Sequence, residues 1–159
     1  MSAKVSEKSL EDAIEQALLA SAKAPTPGEG WLGGEPAAGY GGAWPGGYQK
    51  RRPEEYAPSL YLIPGDVLDF VWASQPKEWE RLKQHYGTEV KDRFLKRLAA
   101  EIERRGALDV LRRGIKDAGC KFDLAYFRPS SGLNEELQKR YQANLFSVVR
   151  QLRYSQKDE

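Results

Sequence analysis

The stretch that most limits how this chain can fold is one that resists regular structure: nine of the twenty residues from Gly28 to Gly47 are glycine. Glycine loses more backbone freedom on ordering than any other residue, and Pro36 and Pro45 remove backbone donors. The segment GEGWLGGEPAAGYGGAWPGGYQKRR is therefore read as a linker or insertion, within a span of 25–58. It separates an N-terminal helix (1–24) from a helical subdomain (59–119) and a final stretch of strands with an intervening helix (120–159).

Around that gap the chain is ordinary for a globular protein. At 159 residues it can form one domain that buries roughly 70% of its unfolded surface. With 40% apolar and 30% charged residues and a formal charge of +2, it has neither the composition of a basic tail nor that of a disordered chain. The one cysteine, Cys120, rules out an intramolecular disulfide. The start MSAKVSEKSLEDAIEQALLA lacks the apolar core of a signal peptide, and no run reaches the roughly 18 apolar residues of a membrane span. A cytoplasmic protein without membrane contact is expected. CxxC pairs, HExxH, a Walker loop and GxSxG are absent.

The periodic segments predict an α+β chain that is mostly helical. Ser9–Ala22 reads as a helix with Ser9 as N-cap and Leu10, Ala13, Ile14, Ala17 and Leu18 on its buried face. PGDVLDFVWAS, QPKEWERLKQHYG and TEVKDRFLKRLAAEIERRG read as three more helices, opened or capped by Pro76 and Thr88 and closed by Gly87 and Gly106. In the longest, Val90, Phe94, Leu95, Leu98 and Ile102 form a core stripe opposite Lys91, Glu101 and Arg105. GALDVLRRGIKDAG predicts a shorter helix ending at Gly119. CKFDLAYF then alternates like a half-buried strand, Asn134 caps a helix over NEELQKRYQAN, and FSVVRQLRYS is a second strand. Two strands alone are marginal and an unpaired edge is a liability, so a further covering element is expected.

Lone reactive residues carry little. His85 has no second His, Cys or acid cluster in reach and reads as a helix-end histidine, and Cys120 reads as a small buried apolar residue. Trp31, Tyr40, Trp44 and Tyr48, followed by Lys50, Arg51 and Arg52, have the makings of base stacking and phosphate contact. A loop insertion, which costs only the logarithm of its length, is the simpler reading.

Several pieces coincide in order. LEDAIEQALLA, then LIPGDVLDFVWASQPKEWERLKQHYG, then the run from RFLKRLAAEIERRGALDVLRRGIKDAG to RQLRYS resemble the N-terminal region of the R (restriction and motor) subunit of type I restriction enzymes. QPKEWE, RRGALDVLRRGIKD, LAYFRPSSGLN and RQLRYS are the most specific stretches, and the resemblance covers nearly the whole chain. It implies the first strands of an incomplete restriction-endonuclease-like (α/β) nuclease domain, with the catalytic Asp and Glu-x-Lys just beyond RQLRYS and an ATP-driven motor after them.

The implied activity of the parent subunit is ATP- and Mg²⁺-dependent cleavage of unmodified DNA, in a complex with modification and specificity subunits. Carboxylates suit Mg²⁺ because it is a hard cation with oxygen ligands. This segment, lacking the Asp and the Glu-x-Lys, is expected to be inactive alone and to bind neither Mg²⁺ nor ATP. The resemblance makes Glu11 a candidate metal-facing carboxylate and Arg128, Arg150 and Arg153 candidate DNA-backbone contacts. The glycine-rich insertion departs from the family pattern. The rival reading is a non-enzymatic protein that binds DNA or partner subunits.

Overall fold

The computed structural model describes residues 6–20, 47–130 and 133–152. It is α+β and mostly helical. Helix α1 spans Glu7–Ala20, strand β1 Gly47–Lys50, helices α2 to α5 Pro64–Ser74, Pro76–Tyr86, Val90–Arg105 and Ala107–Arg113, and strands β2 and β3 Ile115–Asp117 and Cys120–Phe122. Helix α6, Glu135–Gln142, and strand β4, Leu145–Val148, follow.

The body of the fold runs from α2 to β3. Pro64 and Pro76 each open a helix at a position where a missing N–H costs nothing, as the sequence predicts for Pro76. The stripe of α4 goes inside: Val90, Phe94, Leu95 and Leu98 are buried and Ile102 packs against the same core. Trp72, Trp79, Phe94 and Phe122 form a chain of edge-on rings with centroids 5.7, 5.5 and 5.0 Å apart. Buried rings of this size give about 1.5–3 kcal/mol each from desolvation, and edge-on contacts add to that.

The reading of GALDVLRRGIKDAG as one helix needs correction. Helix α5 stops at Arg113, and IKD is strand β2, paired antiparallel with β3. Gly114 forces the change. It has φ +65°, and a side-chain Cβ there would lie 2.1 Å from the Phe122 carbonyl oxygen, so only glycine lets the chain turn this close to β3. Ala118 and Gly119, both at positive φ, make the tight hairpin turn.

Strand β3 is also shorter than its alternation predicts. After Phe122 the backbone is satisfied by side chains instead of a strand. The Gln75 amide donates to the Asp123 carbonyl at 2.8 Å and accepts from the Asp123 N–H at 2.7 Å. Asn144 does the same for Tyr126, at 2.6 and 2.8 Å. Asn134 caps α6 as expected, accepting from the Leu137 N–H.

The second part of the fold joins distant segments. Strand β1 pairs parallel with β4, Gly47 opposite Leu145 and Gln49 opposite Ser147. Within the span read as insertion, Gly47–Lys50 is thus a strand. Side chains alternate across such a pair. Gln49, Arg51 and Ser147 reach α2 on one face, while Lys50 and Arg150 reach α1 on the other. Helix, sheet and helix form three layers.

Helix α1 differs from its sequence reading in two ways. It starts at Glu7, with the Ser6 hydroxyl accepting from the Ser9 N–H at 3.2 Å, so Ser6 caps where Ser9 was expected. Its apolar stripe also faces outward: Leu10 is 54% and Ile14 51% exposed. The inward face carries Glu11, Asp12 and Glu15, drawn by the cations of β1 and the chain after β4. Ala22 lies outside the described residues.

Candidate functional site

Two polar clusters hold the parallel strands between the helices, and an apolar cavity adjoins one of them. The inner cluster centres on Asp66 in the first turn of α2, where the positive end of the helix favours a carboxylate. Its Oδ1 accepts from Gln49 Nε2 at 2.9 Å and from Arg51 Nε and Nη2 at 2.9 and 2.6 Å. Its Oδ2 accepts from the Ser147 hydroxyl. One carboxylate therefore ties β1, β4 and α2 together. Burial pulls on the Arg51 guanidinium, but the hydrogen bond and charge of Asp66 outweigh it and hold its pKa above the ordinary value.

Asp69, one turn along α2, is also buried. Burial raises its pKa to about 6, the charge of Asp66 adds to that, and Arg51 only partly opposes it. The Asp66 carboxylate accepts four hydrogen bonds from Gln49, Arg51 and Ser147. The Asp69 side chain makes no hydrogen bond among the described residues, and its raised pKa makes it the proton-sensitive carboxyl of the cluster.

The cavity, about 470 Å³, lies against Asp66 and Ser147. The rest of its wall is mostly apolar, with Val67 from α2, Leu98 from α4, Leu111 from α5, and Leu145 and Val149 from β4 and its continuation, and Tyr56 and Tyr61 line it too.

The outer cluster lies on α1. Arg150 Nη2 and Nε bond Glu11 Oε2 at 2.7 and 3.2 Å, and Nη1 bonds Asp12 Oδ1 at 2.5 Å. Glu15 Oε1 takes Lys50 Nζ at 2.7 Å, and its Oε2 lies 3.7 Å from Arg150. The Glu11 hydrogen bond, then that of Asp12, raises the pKa of Arg150. Two residues that the resemblance assigns to different tasks, Glu11 to metal and Arg150 to DNA, are here paired with each other.

The other expected contacts are scattered. Arg128 is exposed between β3 and α6 and makes no ion pair among the described residues, while Arg153 lies outside them. Lys50 and Arg51, candidates for phosphate contact, face carboxylates of their own chain. His85 is exposed at the end of α3 and Cys120 is buried. Among the described residues no three His, Cys, Asp or Glu side chains are grouped so as to hold a metal ion, and no helix is long and apolar enough to cross a membrane.

Sequence reasoning missed both Asp66 and Glu101. In PGDVLDFVWAS, apolar residues surround the acids on every side, leaving no solvated face. Asp66 and Asp69 therefore had to be buried, and that was the available signal. Glu101, read as solvent-facing, is only 4% exposed. It pairs with Arg97, Arg104 and Arg105 at 3.0, 2.6 and 2.7 Å, and the Arg104 hydrogen bond leads in lowering its pKa. Arg105 extends this network to Asp109 and the Gly114 carbonyl, both at 2.6 Å, locking α4 to the turn before β2.

Comparison of the chain with protein-family models, with curated proteins and with solved structures finds no match.

Proposed function

We propose that this chain is an N-terminal segment of the R subunit of a type I restriction enzyme. On this reading it forms the helical approach and the first strands of a restriction-endonuclease-like nuclease domain. The parent subunit would cleave unmodified DNA with Mg²⁺ and ATP, together with modification and specificity subunits. The observation that carries the reading is the order of QPKEWE, RRGALDVLRRGIKD, LAYFRPSSGLN and RQLRYS along one chain. A parallel strand pair between α1 and α2 supports it, because an α/β nuclease needs a sheet covered on both faces.

The segment itself supplies scaffold. Asp66 fixes the two strands against α2, and Arg150 fixes α1 against their outer face. Catalytic Asp and Glu-x-Lys residues would come from the rest of the subunit, where Mg²⁺ would activate the attacking water. The rival reading, a binding protein without catalysis, loses ground because Lys50, Arg51 and Arg150 are neutralised within the chain.

The test is to purify the full polypeptide that carries these residues with its modification and specificity subunits, and to supply unmodified DNA, Mg²⁺ and ATP. Cleavage that requires both cofactors is expected. A complex that forms but neither hydrolyses ATP nor cuts DNA would sink the proposal.

A further inference from the structure

The cavity beside Asp66 joins apolar surface to polar groups of two kinds. Phe70, Leu98 and Val110 are buried in its wall, and Tyr61 and Leu111, 49% and 42% exposed, stand in the same wall. It therefore reaches from the core to the surface, which gives a molecule in solution a way in. Of its polar residues, Asp66 and Ser147 are bonded to each other, and Asp66 also to Gln49 and Arg51. Tyr56 and Tyr61 make no side-chain hydrogen bond among the described residues, although a phenol can both donate and accept.

Tyr61 is also held in a backbone conformation that its side chain opposes. Its φ is +61°, in the left-handed region where glycine or asparagine is usual and a bulky residue is an outlier. The turn that fixes it is closed by the Ala57 N–H donating to the Leu62 carbonyl at 2.9 Å and the Leu60 N–H donating to the Ala57 carbonyl at 3.0 Å. A smaller residue would make this turn with less strain. Half of Tyr61 stays in solvent, so burial gives little reason for a tyrosine there. A ring and a hydroxyl at the mouth of a cavity do, and strain of this kind collects at ligand-binding positions.

We infer that this cavity binds an uncharged, largely apolar small molecule through a carbonyl or hydroxyl oxygen that hydrogen-bonds to Tyr56 and Tyr61. At about 470 Å³ it lies in the range, roughly 300–1,000 Å³, that encloses drug-sized ligands behind a mostly apolar wall with a few polar groups. Charge decides the class. An anion would meet the Asp66 carboxylate within an apolar wall, and a cation would find that carboxylate already neutralised by Arg51. A pure hydrocarbon would displace water from both phenols and return no hydrogen bond. An uncharged molecule with an oxygen acceptor avoids all three penalties. These residues all belong to this chain, so the site stands whether or not the nuclease reading holds.

The neutral naphthyl ketone PRODAN, whose emission moves to the blue in an apolar site, is a probe of that class, and anilinonaphthalene sulfonate is an anionic counterpart. PRODAN should bind the 159-residue chain saturably, at least about tenfold more tightly than the sulfonate. Tyr56→Phe and Tyr61→Phe, which remove only the hydroxyls, should each weaken it about three- to tenfold, the size of one hydrogen bond. Leu111→Trp, which fills the cavity from its wall, should abolish binding. Tyr61→Asn, which suits the positive φ, should weaken PRODAN without lowering the midpoint of urea unfolding. The phenylalanine variants keep the test valid if Leu111→Trp does not fold. No saturable blue shift, or unchanged affinity when both tyrosines are phenylalanine, would overturn the inference. So would equal binding of the sulfonate, the sign of exposed apolar surface alone, or binding that survives Leu111→Trp in a folded chain. A Tyr61→Asn chain that unfolds more easily would return the tyrosine to a packing role and overturn it too.

Discussion

The two halves of this molecule are held together by different physics. From α2 to β3 the elements share an apolar core in which Leu82, Phe94, Leu98 and Phe122 are completely buried. The layer of β1, β4 and α1 is pinned mainly by charge, through Asp66 on one face and Arg150 on the other. Apolar burial is largely indifferent to pH and salt, whereas ion pairs respond to both. Solution conditions should therefore loosen the strand layer while the helical body stays intact.

Four substitutions would break or sharpen that contrast. Phe94→Ala removes the middle of the ring chain and should cost about 3–5 kcal/mol in urea unfolding, destabilising both halves, because the layer has no core of its own. Asp66→Ala takes from Arg51 its closest carboxylate, leaving Glu55 at 3.6 Å, and removes four hydrogen bonds, at a cost of about 3 kcal/mol confined to the layer. Amides of β1 and β4 should then lose exchange protection while those of Leu98 and Phe122 keep it. Equal loss everywhere would mean that the halves are one cooperative unit.

Asp69→Asn probes pH. The folded-state pKa of Asp69, about 6, lies above its ordinary 3.8, so its contribution is fully present below pH 3.8 and is lost as pH rises through 6. From this group the wild type should lose about 2–3 kcal/mol over that interval, and the asparagine variant should lack that part of the slope. Unfolding free energies at pH 4 and pH 7.5 are enough to check it. Arg150→Ala should have the smallest effect, because its pairs are partly exposed and screened by solvent. Its signature would be faster exchange in α1, reproduced in the wild type by 0.5 M or so of salt, which shortens the range of such pairs to a few ångströms.

The same contrast explains what the sequence made legible. Helices α2, α3 and α4 were readable because proline and glycine mark their ends and apolar spacing marks the inward face of α4. In α1 the pattern misled: the stripe of Leu10 and Ile14 faces out, since the face presented to it by the strands is cationic. Strand β2 was too short to show a period, and β1 sat at the edge of a glycine-rich run. Periodicity identified β4 as a strand but could not name β1 as its partner, because pairing is a property of the assembled fold. Of the candidate site, Glu11 and Arg150 were singled out for chemistry but not for each other. Asp66 passed as an ordinary acid in a helix's first turn.

The register that places Gly47 against Leu145 also sets an order of events in time. Most contacts of the helical body and its hairpin link neighbouring elements and close short loops, so they can form early. Strand β1 must wait for β4, 98 residues further along the chain, and such distant closures carry the larger entropic barrier. Until then Asp66 lacks its bond from Ser147, and Arg150 lacks the carboxylates of α1. Those contacts are late steps of folding, and a chain emerging from the ribosome completes its helical core before it can close its sheet.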